Sequence, residues 1–416
     1  MSVQNTLSAN SASNLLQILA NIKTQDLSYK IKPTYPFLAR KLYSLQPKQT
    51  VSGAPASKEA IWDLNKAWLN NGLRIQTTIT KTGSTSFSAP TDKYYGLTMY
   101  ESITLRTNNV TLATLSDSYI RSRVDHLPDG PKQHCLRYSL ALVPTTEIPV
   151  TDADATTFVT YTPIFSSFFE HVTANLNLNF LEQFQVVARF NTTVNSGINE
   201  AYLSASPVLQ VFNWTPDATY MAGLKALNNP VGSVMTMLTY NSSKESFNLD
   251  SDTGVAARLR CNYPVFNMYF AVVSKAAVAD LGIATSLSPI NTVDLTIGGD
   301  SMFGSAIPIS TLDYINEMGG AVSSNVLTTI SAVSRSVQTV GTGTYCGWRR
   351  IPFCLDPDNR TYCSGAMAFS GINNPILTLA FPDVGTGSNF ELQVCYEAWQ
   401  LISISSSGVC QIAEMF

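Results

Sequence analysis

Three histidines, His126, His134 and His171, are the side chains here that could act as a general base near neutral pH. An esterase-like reaction through His126 or His171 would require the fold to bring a nucleophile and an acid to the ring. No G-x-S-x-G elbow leading into a helix is present to supply the nucleophile. His126 follows Asp125 and precedes the turn composition Leu127-Pro-Asp-Gly130, which predicts an exposed loop histidine. Gly298-Gly-Asp-Ser-Met-Phe-Gly304 has the glycines of a phosphate loop but lacks the Lys-Ser/Thr that would reach phosphate and metal, and it reads as a turn. Asp356-Pro-Asp-Asn-Arg360 offers oxygens to a hard cation, yet the same residues are ordinary turn formers. Asp250, Asp252 and Asp300 are too scattered for a site. No catalytic, cofactor-binding or metal-ligating residue is therefore assigned, and no cofactor is expected.

The seven cysteines (Cys135, Cys261, Cys346, Cys354, Cys363, Cys395 and Cys410) are odd in number and irregular in spacing. They form neither a disulfide framework nor a C-x-x-C knuckle, so free thiols in a reducing compartment are expected. With no signal-peptide h-region and no apolar run near the ~20 residues that span a bilayer, the chain is expected to mature in cytosol or nucleus. Phe165, Phe168, Phe169, Phe180 and Phe184 could line a ligand patch but read as sandwich filling. Trp62 and Trp68 flank the start of the first β region, where they could anchor the preceding segment.

The elements that would carry these residues are strands. Leu73, Ile75, Thr77 and Ile79 alternate with Arg74, Gln76, Thr78 and Thr80, the period of a half-buried strand. Asn108-Asn109 lies between Ile103-Thr-Leu105 and Val110-Thr-Leu112, a two-residue hairpin turn. Gly298-Gly299 follows Val293-Asp-Leu295 in the same way. A helix-tolerant stretch follows each turn, at 115–124 and 311–318. Further strands are predicted at Tyr138–Val143, Leu181–Phe190, Val208–Phe212 and Val265–Val273, and Phe390–Ile404 reads as a strand pair. Residues 320–345 read as a long loop.

The 416 residues exceed what one core usually serves, and the chain divides into four segments. Residues 1–60 form an arm with an amphipathic helix built on Ala12, Leu15, Leu16, Leu19 and Ile22. That helix could pack on its own domain, on a neighbouring subunit or on a membrane. Residues 61–222 form a first β unit, 223–246 a linker and 247–416 a second unit. The fold class is all-β: two tandem eight-stranded jelly rolls, because uneven loop lengths disfavour an up-and-down barrel.

Charged residues make up only 13% of the chain, a depletion that suits surfaces covered by neighbours. Residues 1–50 carry six basic groups against one acid, and the remainder 20 basic against 28 acidic. That balance argues against nucleic-acid wrapping.

Several segments together resemble the double jelly-roll major capsid proteins, the lineage of tectivirus-like phages, adenovirus hexon and large or polinton-like DNA viruses. In the first half they are Trp68-Leu-Asn-Asn-Gly-Leu-Arg-Ile75 and Ile103-Thr-Leu-Arg-Thr-Asn-Asn109. In the second they are Val293-Asp-Leu-Thr-Ile-Gly-Gly299, Ile351-Pro-Phe-Cys-Leu-Asp-Pro357, Ser364-Gly-Ala-Met-Ala-Phe369, Asn374-Pro-Ile-Leu377 and Tyr396-Glu-Ala-Trp-Gln-Leu-Ile402. The resemblance implies a non-enzymatic virion protein, assembled in host cytoplasm or nucleus. It implies homotrimers of pseudo-hexagonal outline, and contacts with neighbouring capsomers and with minor capsid or penton proteins. It also implies an inner membrane surface met by residues 1–50, and no sequence-specific nucleic acid. The alternatives are a single jelly-roll capsid protein of a small RNA virus, disfavoured by the dilute basic arm, and a carbohydrate-binding β-sandwich protein.

Overall fold

The computed structural model describes residues 37–51, 58–64, 68–69, 73–80, 96, 99–108, 110–126, 143–144, 157–166, 181, 183–191, 205–216, 234–261, 263–274, 287–288, 290–318, 348–360, 363–369, 375–381, 390–405 and 407–413. The first half contributes β1 (Phe37–Leu45), β2 (Glu59–Asp63), β3 (Trp68–Leu69), β4 (Arg74–Thr80), β5 (Tyr100–Thr107) and β6 (Val110–Ser116). Helix α1 (Asp117–Asp125) follows, then β7 (Val143–Pro144), β8 (Thr157–Pro163), β9 (Gln185–Phe190) and β10 (Val208–Pro216). The second half contributes β11 (Val234–Asn248), β12 (Gly254–Arg258), β13 (Pro264–Ser274), β14 (Leu287–Ser288), β15 (Thr292–Ile297), β16 (Asp300–Ser301) and β17 (Ile307–Pro308). Helix α2 (Ile309–Met318) precedes β18 (Arg349–Pro352), β19 (Met367–Ala368), β20 (Ile376–Ala380), β21 (Phe390–Ser405) and β22 (Cys410–Ala413).

Each half is a sandwich of two antiparallel sheets with one shared topology. In the first half the sheets run β1-β10-β4-β8-β7 and β2-β9-β5-β6. In the second they run β11-β21-β13 and β12-β20-β15-β16, with β14, β18 and β19 pairing in turn along β13. Counting the eight principal strands of each half in chain order, both halves read 1-8-3-6 against 2-7-4-5. That is the double Greek key of a jelly roll, so two jelly rolls stand in tandem and the single jelly-roll alternative falls.

The fourth–fifth strand hairpins are equivalent, as the two dipeptides predict. Asn108 turns at φ 43° between β5 and β6, and Gly298 and Gly299 turn at φ 63° and 94° between β15 and β16. Left-handed backbone at these positions is what a two-residue hairpin requires, and Asn and Gly tolerate it. A short helix follows each hairpin strand pair. Ser116 caps α1 by accepting from the Tyr119 amide, with Asp117 in the first turn and Arg123 in the last.

Alternation fills the first core: Leu73, just before β4, and Ile75 on it face inward with Trp62, Ile103, Leu105 and Leu209. The second core holds Val255, Met268, Phe270, Leu295, Leu379 and Leu392.

Three segments differ from expectation. Phe37–Leu45, expected as irregular arm, is the edge strand β1; the Pro-free run between Pro36 and Pro47 pairs with β10, and flanking prolines are tolerated at an edge. Residues 234–246, expected as linker, belong to β11, pinned by register to β21 from Val234↔Ser405 to Asn248↔Glu391. Phe390–Ser405 is one long strand rather than a pair, because nothing within it is a turn former of the Gly or Pro kind. The expected helix at 12–22, most of the strand at 138–143 and the loop at 320–345 lie outside the described residues.

Because an added Cβ at Gly298 or Gly299 meets no atom within 4 Å, substitution there carries only the backbone penalty. Gly298→Ala and Gly299→Ala should each destabilise the protein by roughly 1 kcal/mol, and Asn108→Gly should not. Denaturant unfolding of the three variants checks this; a silent Gly298→Ala would contradict the turn assignment.

Candidate functional site

The residues with the most unusual environment lie between the two jelly rolls. Most sheets in a sandwich bury one face, but β13 and β21 bury both: β13 is nearly all apolar, while β21 buries Gln393, Glu397 and Gln400 as well as its apolar residues. Along β21, Leu392, Val394, Tyr396 and Ala398 enter the second core. The intervening Gln393, Cys395, Glu397 and Trp399 are also buried, facing the first jelly roll. A bulge between Val265 and Asn267 on β13 adds Phe266 to the same side. There Phe266 stacks on Trp399 at 4.5 Å.

From the first jelly roll come β6 and α1. β6 is the edge of its sheet, and an edge leaves backbone groups unpaired. Side chains of the second jelly roll satisfy them. Asn241 Oδ1 accepts from the Thr114 amide at 3.0 Å, and Ser242 Oγ donates to the Thr114 carbonyl. Gln400 Nε2 donates to the Leu112 carbonyl at 3.0 Å.

Glu397, wholly inaccessible, is the hub. Its Oε1 accepts from Tyr119 Oη at 2.6 Å and from Arg360 Nε at 3.1 Å, and lies 3.3 Å from Arg123 Nε. Its Oε2 accepts from Asn267 Nδ2 and Arg360 Nη2, both at 2.8 Å, and from Tyr269 Oη at 3.1 Å. Ser118 Oγ donates to Gln393 Oε1, four residues before Glu397 on the same strand face, at 2.6 Å. Burial alone would raise the Glu397 pKa, but the fork of Arg360 and the charge of Arg123 outweigh it and hold the carboxyl at about 2. Burial pushes the Tyr119 and Tyr269 hydroxyls up, and the Glu397 charge pushes them further. Both therefore stay protonated and donate.

The sequence candidates fall as follows. His126 is not an exposed loop residue. It ends α1, buried, with Nδ1 2.8 Å from the Ser122 carbonyl and its ring 5.2 Å from Tyr269. The carbonyl can only accept, so Nδ1 carries the proton. Burial first, then Arg350, Arg349 and Arg123, lowers the imidazole pKa to about 3 despite the Ser122 bond. Asp356-Pro-Asp-Asn-Arg360 is a turn, and it delivers charge inward. Asp358 binds Arg350 at 2.8 Å while Arg360 reaches Glu397. Gly298–Gly304 is the hairpin region, where Ser301 Oγ donates to Asp294. Asp250 accepts from the Ala256 amide at 2.7 Å. Phe165 and Phe184 are core residues and Trp62 is buried among them. His134, His171, Phe168, Phe169, Phe180, Cys135 and Cys346 lie outside the described residues. Among the described residues, no three of His, Cys, Asp or Glu gather as a metal site would require, and Cys261, Cys354, Cys363, Cys395 and Cys410 are free thiols.

Glu397 itself went unassigned in the sequence. Its signal is a lone acid inside Val394-Cys-Tyr-Glu-Ala-Trp399, a run otherwise fit for double-sided burial. Chemically, the cluster fastens two jelly rolls: a carboxylate with a pKa near 2 and saturated lone pairs is a poor base.

No protein-family model matches the chain, and no curated protein matches it. Solved structures do. PBCV-1 VP54, fitted into a reconstruction of the virophage Sputnik, matches with a TM-score of 0.67 at 13% identity, covering 94% of this chain and 100% of that one. The fold is that of the double jelly-roll major capsid proteins. The Faustovirus major capsid protein matches at 0.60 with 9% identity, covering 93% and 94%. The mavirus major capsid protein matches at 0.53 with 10% identity, covering 93% of each. The double jelly roll here thus spans nearly the whole chain, with the Glu397 cluster at its seam.

Two outcomes test the seam. Glu397→Gln leaves Arg123 and Arg360 buried without their anion and should cost about 3–5 kcal/mol. Replacing all three by Met should recover most of that, and denaturant unfolding reads both. An unchanged midpoint for Glu397→Gln would refute the fastening role.

The second outcome is acid sensitivity. Between pH 6.5 and 3 an unfolded chain binds a proton at His126 that the folded chain refuses, so stability falls as pH falls through that window. Glu397 adds its loss from pH 4.5 down to 2. Asp313, raised by burial against the pull of Arg349, works in the opposite direction just above its ordinary 3.8. His126→Gln should flatten the melting temperature between pH 6.5 and 4.5 relative to wild type. Parallel curves would show that the ring does not titrate in this way.

Proposed function

We propose that this chain is the major capsid protein of an icosahedral DNA virus, located in the virion shell and acting as a building block without catalysis. The observation that carries the reading is a complete double jelly roll, spanning nearly the whole chain, shared with the Faustovirus and mavirus major capsid proteins. Low charge fits a surface largely covered by neighbours.

In this reading three copies form a capsomer in which six jelly rolls make a pseudo-hexagon. Capsomers then contact one another and minor capsid or penton proteins. The basic balance of residues 1–50 suits an anionic inner surface such as a membrane, through charge alone and without base recognition. The jelly-roll units correspond to the strands of 37–216 and 234–413.

Light scattering on the expressed full-length protein should give three times the 45.2 kDa chain mass, and negative-stain micrographs should show particles of hexagonal outline. A stable monomer at micromolar concentration would overturn the capsomer reading.

A further inference from the structure

Among the arginines buried at the seam, Arg350 has only half of its hydrogen bonding accounted for. Tyr269 on β13 faces the first jelly roll, donating to Glu397 Oε2 with its ring 5.2 Å from His126. Arg350 stands directly opposite Tyr269 in the β13–β18 register, so its side chain shares that face. None of that side chain is exposed. Its Nη1 donates to Asp358 Oδ1 at 2.8 Å. The other edge of the guanidinium, Nε and Nη2, is out of water and meets no acceptor of the protein. On Arg360 the same two-pronged edge grips Glu397, Nε to Oε1 and Nη2 to Oε2. Two residues before Arg350, and on the same face by alternation, Trp348 is buried in the apolar cluster of the seam. Its Nε1 also meets no acceptor.

The charges around Arg350 are unequal as well. Among the described residues, the ion pairs of the seam set the guanidiniums of Arg123, Arg350 and Arg360 against the carboxylates of Glu397 and Asp358. Arg349 pairs across β13 with Phe270 of the second core, and its charge is met there by Asp313 of α2 at 3.0 Å. Asp358 is 36% exposed, so water screens part of the charge it offers to Arg350. His126 registers the surplus: burial first, and then the charge of Arg350, hold its ring neutral. A buried cation without full compensation is among the costliest groups a fold can contain.

We propose that the seam binds a small monovalent anion of the halide class, chloride under ordinary conditions, on the Nε–Nη2 edge of Arg350. Such an ion does for Arg350 what Glu397 does for Arg360, and it brings the charges just counted to three against three. The class follows from the surroundings. A divalent oxyanion such as sulfate would overshoot the charge by one. An organic carboxylate would carry a carbon skeleton to a place where both donor atoms are already out of water. A water molecule can accept the two hydrogen bonds but brings no charge. Because the donor edge is inaccessible, the ion belongs to the joint between the jelly rolls and not to the outer surface.

The test compares full-length wild type with Arg350→Met in sodium chloride and in sodium gluconate at equal ionic strength. On passing from gluconate to chloride, wild type should gain about 2–4 °C in melting temperature over the variant, once chloride exceeds its dissociation constant tenfold. The gain should saturate with chloride. Independently, wild-type crystals grown in sodium bromide should show an anomalous peak within hydrogen-bonding reach of Arg350 Nε and Nη2. Equal responses of the two proteins to chloride would overturn the proposal. So would density at the Arg350 edge without anomalous signal, which is water, or bromide at other places alone, which is an adventitious ion only. If Arg350→Met does not fold, the bromide map decides by itself.

Discussion

A carboxylate taken wholly out of water must be compensated on the spot, and that requirement at Glu397 organises the centre of this molecule. Desolvation of such an ion costs several kcal/mol even after relaxation. The donors that offset it come from three places: α1, β13 and the turn 356–360. Their simultaneous presence fixes how the two jelly rolls meet. Apolar contact alone would tolerate sliding, because the hydrophobic effect has no direction. The bidentate geometry of Arg360 and the short Tyr119 bond do not.

The rest of the seam follows the same logic of satisfied polarity. An edge strand such as β6 normally invites pairing with another chain. Here Asn241, Ser242 and Gln400 stand in for a neighbouring backbone. The second jelly roll therefore closes the edge of the first without extending its sheet, and the two sandwiches stay distinct in topology while sharing a continuous apolar cluster. That cluster runs from Trp62 and Ile103 in one half to Phe266 and Trp399 in the other.

Much of the architecture was legible in the residue pattern because it depends on local rules. The alternation around Ile75, the Asn108 and Gly298-Gly299 turns, and the helix-tolerant stretches after them all report neighbours within a dozen residues. What escaped depends on contacts distant in sequence. Tyr119 and Glu397 are 278 positions apart, and no spacing rule connects them. His126 was misjudged for a related reason: its turn-like surroundings describe the chain after it, while its burial comes from Tyr269 and the arginines of the other jelly roll. Asp356-Pro-Asp-Asn-Arg360 was correctly a turn by composition, yet its role lies in the direction Arg360 points. β1 and β11 were missed because prolines and asparagines near their ends mask strands whose stability comes from long pairing partners.

The placement of β21 has a consequence for how the chain reaches this state. The strand lies between β11 and β13, both formed by residues more than a hundred positions earlier. Until it inserts, those two strands face each other across a vacant slot, their inner edges unpaired and their apolar faces open. The same strand brings Glu397 to α1, so one strand both closes the second sandwich and attaches it to the first. Such non-local closure is slow and leaves sticky intermediates. The seam that joins the two jelly rolls is thus also the contact that must close the longest stretches of chain.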